Sequence, residues 1–119
     1  MSYGKTPIHF LYKRLQRGNA GSAAREKLPV TIDREYLEQL WQIQDGRCAV
    51  TGMAMTYTPK NLKETTGLNA SLDRIDSSEG YVDGNVRIVC SRVNSMRGAG
   101  DDTELLWWCK QVLGGLEGE

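Results

Sequence analysis

Residues 70–75 and 86–89 are two short apolar runs held apart by a turn-rich stretch at 77–84, and a helical pattern follows directly across 91–97. This order constrains the fold more than any other part of the chain. Val86, Ile88 and Val89 are β-branched and suit a pleated surface, while Ser77, Ser78, Gly80, Asp83 and Gly84 supply turn chemistry. The expectation is a pair of antiparallel strands joined by a loop, with a helix immediately after them.

Helical spacing recurs on both sides of this unit. Ile8, Leu11, Tyr12 and Leu15 share one face of a short basic helix, and the run Gly18, Asn19, Gly21, Ser22 then makes a flexible joint. Residues 33–44 predict a helix capped by Asp33, with Leu37, Leu40 and Trp41 on its apolar face and Asp45-Gly46 ending it. The stretch RCAVTGMAM reads as an extended segment turning at Gly52, and 56–69 as a polar, mobile loop. A last helix is expected over 104–113, capped by Asp102 or Thr103 and stopped by Gly114-Gly115. Leu105, Trp108, Cys109 and Val112 share its apolar face, which places Cys109 in the core, and the tryptophans Trp41, Trp107 and Trp108 read as packing residues, with nucleic-acid contact open to Trp107 if it is exposed. The fold class is therefore α+β, a small sheet unit set between an N-terminal helical segment and a C-terminal helix.

A length of 119 residues suits one core. No run approaches the roughly 20 apolar residues that cross a bilayer, and the start lacks a secretory apolar stretch, so a soluble cytoplasmic protein with no membrane partner is expected. Three dispersed cysteines, Cys48, Cys90 and Cys109, do not make a disulfide framework. Net charge is zero, but its distribution is not even: residues 1–30 carry a net +5, whereas 101–119 carry a net −4. One end attracts phosphate and the other repels it. The chain divides into a basic arm at 1–30, a domain at 31–113 and an acidic tail at 114–119.

Within 73–98 the residues Asp73-Arg74, Asn85, Cys90, Val93, Asn94 and Arg97 stand at a joint spacing. It resembles the motif of the His-Asn-His (HNH) endonucleases, in particular phage-type members. In that family an Asp-His pair ends the first strand, an Asn opens the second, and Cys-x-x-Cys-Asn-x-x-Lys starts the helix. The upstream QDGRCAVTG is similar to the Cys-x-x-Cys that precedes the motif, with Thr51 in place of the second Cys. The resemblance covers about residues 33–98 and implies a ββα-metal (His-Me finger) unit.

It also implies roles. Asp73 and Asn94 would hold one Mg²⁺ or Mn²⁺ ion, hard cations that take oxygen donors, and Asn85 would pin the connecting loop. Arg74, Arg87, Arg92 and Arg97 would contact DNA phosphates, giving salt-sensitive binding of low sequence specificity. The implied activity is metal-dependent endonuclease or nickase hydrolysis of DNA phosphodiesters, in the host cytoplasm if phage-encoded, with a protein partner in a larger nucleic-acid machine as a further expectation. Cys48 and Cys90 stand without Thr51 and Val93 as thiols, so no structural zinc is expected, and the two should pack together as small buried groups.

Arg74 stands where the family has its general-base His, and a guanidinium does not accept a proton near neutral pH. Asp76 and Tyr81 are the leading substitutes, with Glu79, His9 and bulk hydroxide also open. Two other functions stay open beside cleavage: a nucleic-acid-binding module without activity, and a protein-interaction domain using the acidic C-terminus. Taken singly, Asp73 is a strand-end carboxylate that pairs with Arg74 or Arg87, Asn94 a helix cap or surface group, Asn85 turn chemistry, and His9 a packing residue.

Overall fold

The computed structural model describes residues 7–16, 28–58 and 66–118. The glycine joint at 18–22, the outer part of the basic arm and the middle of the 56–69 loop lie outside these residues. Helix α1 spans Pro7–Gln16 and α2 spans Arg34–Ile43; β1 is Ala70–Arg74 and β2 is Val86–Cys90; α3 spans Ser91–Arg97 and α4 spans Asp102–Leu116.

Pro7 opens α1, where its missing N–H costs nothing. Ile8, Leu11 and Leu15 bury the helix against the rest of the molecule, so the helix within the basic arm belongs to the core. Asp33 caps α2 by accepting from the Tyr36 N–H at 2.9 Å, and Leu37 is fully buried. Asp45 and Gly46 both take positive φ, 56° and 66°, and end the helix there.

Strands β1 and β2 pair antiparallel in the register Ala70 with Cys90 and Asp73 with Arg87. They form a two-stranded sheet. Gln44 serves the other edge of β2: its Nε2 donates to the Ile88 carbonyl at 2.8 Å and its Oε1 accepts from the Ile88 N–H at 3.1 Å. The Ala49 N–H reaches the same carbonyl at 3.1 Å. Two-stranded ribbons are marginal alone. Here α2, α3 and the 46–55 turn supply the packing, around Leu37, Cys48, Ile88, Val89, Cys90 and Val93.

The expected turn at Gly52 is present, with φ 75° and the Gly52 N–H donating to the Cys48 carbonyl at 2.9 Å. The loop between the strands is tied to the linker before α2, because Thr31 N–H donates to the Tyr81 carbonyl and Tyr81 N–H to the Pro29 carbonyl, both at 3.0 Å.

The last helix differs from its sequence reading in extent and in environment. Asp101, rather than Asp102 or Thr103, is the cap, accepting from Glu104 N–H at 2.8 Å, and the helix runs through Gly114-Gly115 to Leu116. A cap must precede the first helical residue, and Asp102 is committed elsewhere. No residue of α4 is buried, and Trp107, Trp108 and Cys109 are exposed rather than packed. Among the described residues, no helix is long and apolar enough to cross a membrane.

Candidate functional site

Residues of β1 alternate faces, so Ser71 and Asp73 point the same way; residues three apart on α3, Asn94 and Arg97, point back at them. Two contacts follow in parallel along this interface. Asn94 Nδ2 donates to Ser71 Oγ at 2.8 Å, and Arg97 Nη1 donates to Asp73 Oδ1 at 2.8 Å. The structure thus brings Asp73 and Asn94 to neighbouring positions on one strand–helix interface.

Both oxygens of Asp73 are occupied. Its cross-strand partner Arg87 donates from Nε to Oδ2 at 2.7 Å, opposite the bond from Arg97. Arg97 also donates to the Arg74 carbonyl at 3.0 Å, to the Ile75 carbonyl, and from Nε to Asp102 Oδ1 at 3.1 Å. Arg87 closes the figure with a two-pronged grip on Asp102, at 2.7 and 2.9 Å. Two carboxylates and two guanidinium groups form a ring of zero net charge.

The ring is buried at one end and open at the other: the side chains of Asp73 and Arg97 are 3% and 2% exposed, and that of Asp102 is 56% exposed. The Arg87 hydrogen bond, and behind it the charges of Arg87 and Arg97, hold the Asp102 carboxyl below the ordinary carboxylate range, with partial burial opposing them. The hydrogen bonds it donates to Asp102 push the Arg87 guanidinium up.

Arg74 is buried and used as a brace. Its Nη1 donates to the Ser77 and Glu79 carbonyls at 2.9 and 3.0 Å, and the guanidinium lies 5.6 Å from the centre of the Tyr81 ring. Asn85 ties the same loop: Nδ2 donates to the Asp76 and Gly80 carbonyls at 3.1 and 2.8 Å, and Oδ1 accepts from the Asp76 N–H at 2.9 Å.

The two leading substitutes for a general base are both shifted away from that task. Bonds from the Ser78 hydroxyl and N–H, at 2.6 and 2.9 Å, lower the Asp76 carboxyl further. Burial pushes the Tyr81 hydroxyl up, with the Arg74 charge only partly offsetting it. A base works best with a pKa near the operating pH, and each group has moved in the wrong direction.

Beside the ring lies a depression of about 450 Å³ lined by Ile75, Asp76, Ser77, Arg97 and Glu104, among others. Its rim is acidic. Of the four arginines expected at phosphate, Arg74, Arg87 and Arg97 are engaged inside the domain, while Arg92 stands exposed on α3 with its backbone N–H bonded to the Gly67 carbonyl at 3.0 Å. Lys13 and Arg14 are exposed on α1. His9 packs edge-on against Phe10, which stacks on Tyr57.

Cys48 and Cys90 are each 2% exposed and in contact, the juxtaposition expected of them. Burial pushes the Cys48 thiol up, but bonds from the Thr51 hydroxyl and from the N–H groups of Cys90, Thr51 and Val50 bring it down to about 7. Cys90 moves the other way, raised by burial despite donors at Val93 and Arg92.

A divalent cation would need open carboxylate and carboxamide oxygens at Asp73 and Asn94. Asp73 instead already faces two fixed positive charges, so the residues as arranged do not fit Mg²⁺ or Mn²⁺. Among the described residues, no three His, Cys, Asp or Glu side chains converge as a ligand group. The sequence reading missed Ser71 and Asp102, the partners of Asn94 and of the two arginines. Ser71 could have been found from its two-residue spacing to Asp73; Asp102 carried only a capping signal. No family model, curated protein or solved structure matches the chain.

Proposed function

We propose that this chain is a nucleic-acid-binding module of the HNH type in which cleavage is not the function. The observation that carries this reading is the double occupation of Asp73 by Arg87 and Arg97, which fills with the chain's own guanidinium groups the place a divalent ion would take. The strand–strand–helix order, the loop tied by Asn85 and the helix bearing Asn94 support a ββα unit of that type. With Arg74 braced against loop carbonyls, and with Asp76 and Tyr81 each shifted away from the range of a general base, neither leading substitute is suited to activate water. Binding would draw on Lys13, Arg14, Arg92 and the rest of the basic arm, through phosphate contacts that are indifferent to sequence.

A second reading, metal-dependent phosphodiester cleavage, is favoured by one observation: Asp73 and Asn94 occupy adjacent positions on the β1–α3 interface. Plasmid nicking with Mg²⁺ or Mn²⁺, run beside gel shifts over a salt series, separates the two. The expected result is salt-sensitive binding to DNA without nicking at high protein concentration. Nicking that disappears in Asp73→Ala would establish the second reading instead, and absence of binding to duplex and single strands at low salt would remove both.

A further inference from the structure

Helix α4 leaves the domain with its apolar face uncovered. At 100° per residue, Leu106, Trp108, Cys109, Val112, Leu113 and Leu116 fall within about 160° of its circumference, and Lys110 and Gln111 fall outside it. Leu105 lies within the same stripe and is the one side chain of the helix packed against the core. The stripe therefore begins on the domain and continues past it.

The five large apolar side chains of the stripe are between 55% and 83% exposed. Asp102 explains why the helix cannot fold back to cover them: the bonds from Arg87 and Arg97 fix its first turn on the domain. Fifteen residues project about 22 Å from that anchor.

We infer that this stripe is the contact surface for a second copy of the chain, with the two α4 helices packed antiparallel about a two-fold axis. Weighted by their exposure, the five large apolar side chains present on the order of 600 Å² per copy, most of the ~800 Å² that each partner buries in a standard-size interface. That is also at the upper end of the ~300–600 Å² of the largest apolar patch on a typical monomer. Antiparallel packing follows from the anchor. Each helix is fixed to its domain at the N-terminal end, so parallel helices would drive the two domains into one another, whereas antiparallel ones set them at opposite ends.

The charges disfavour a phosphate-bearing occupant. Asp101 and Glu104 stand at one end of the helix, where Asp102 is already paired with Arg87 and Arg97, and Glu117 stands at the other, with Lys110 the one base between them. Phosphate, whether of nucleic acid or of an anionic lipid surface, is repelled by both ends. In the antiparallel pair those acidic ends approach each other, so added salt tightens the contact, opposite to its effect on phosphate binding. The inference is independent of the nucleic-acid reading above.

Sedimentation equilibrium of the full chain across micromolar concentrations, at low and high salt, tests it. A monomer–dimer equilibrium that strengthens with salt is expected. Leu113→Glu should weaken it by about 100-fold or more, since each helix would then bury an unpaired charge, with unchanged far-UV circular dichroism. Cys109 lies near the middle of the pairing helix and is exposed, whereas Cys48 and Cys90 are buried. A short bis-maleimide should accordingly link two wild-type copies and fail to link Leu113→Glu. A monomer at every concentration would overturn the inference, as would a dimer indifferent to Leu113→Glu or a monomer that instead binds anionic vesicles through α4.

Discussion

Asp73 shows how one carboxylate changes meaning with its partners. The family resemblance makes it a metal ligand, yet here it neutralises two guanidinium groups, one of them almost wholly buried. Asp73→Ala would leave Arg97 without its charge partner, and breaking a buried pair from one side costs about 3–5 kcal/mol. Urea unfolding should register a loss of that size. Asp102→Ala should cost at most about 1 kcal/mol, because its carboxylate is more than half exposed and screened by solvent. Equal losses in the two variants would show that the ring is not organised around its buried end. Arg74→His tests the neighbouring position. It removes two bonds to loop carbonyls and the contact with Tyr81, so a loss of about 1–3 kcal/mol is expected, with no nicking activity gained.

The loop between β1 and β2 is held against the linker before α2 by backbone. A Cβ on Gly80 would sit 2.0 Å from the Pro29 carbonyl oxygen, and neither chain can move without breaking the bridge between residue 30 and Tyr81. Gly80→Ala should therefore destabilise the domain by roughly 2–4 kcal/mol, in the range of overpacking and lost backbone bonds together. A change below about 0.5 kcal/mol in chemical denaturation would show that the bridge yields freely. The anchor of α4 responds to pH in a defined sense. The folded-state pKa of Asp102 lies below its ordinary value, so its contribution is complete above the unfolded pKa and is lost as pH falls through the folded one. Tryptophan fluorescence from Trp107 and Trp108 should report release of the helix in that acid window and stay level above it; release beginning near neutrality would assign the anchor to another group.

At the scale of the whole molecule, what was legible in the sequence followed local rules. The β-branched strand, the Asp33 cap, the apolar faces of α1 and α2 and the turn at Gly52 each rest on residues within a few positions of one another. The burial of Cys48 against Cys90 was legible only through the family resemblance, since 41 residues separate the two along the chain. The ring of Asp73, Arg87, Arg97 and Asp102 was not, because it needs the strand register and the docking of two helices together. Nor was the exposure of α4: periodicity reveals an apolar stripe but not what lies against it. That exposure makes stability uneven along the chain, with the buried side chains falling between Ile8 and Arg97. Truncation after Lys110 keeps Leu105 and the Asp102 anchor while removing half of the stripe. At low protein concentration the truncated and full chains should therefore unfold at the same urea midpoint. If α4 pairs two copies, the full chain's midpoint should rise with concentration by mass action while the truncated chain's stays fixed. Parallel behaviour of the two chains across the concentration series would place the stabilising contacts of α4 within its own domain.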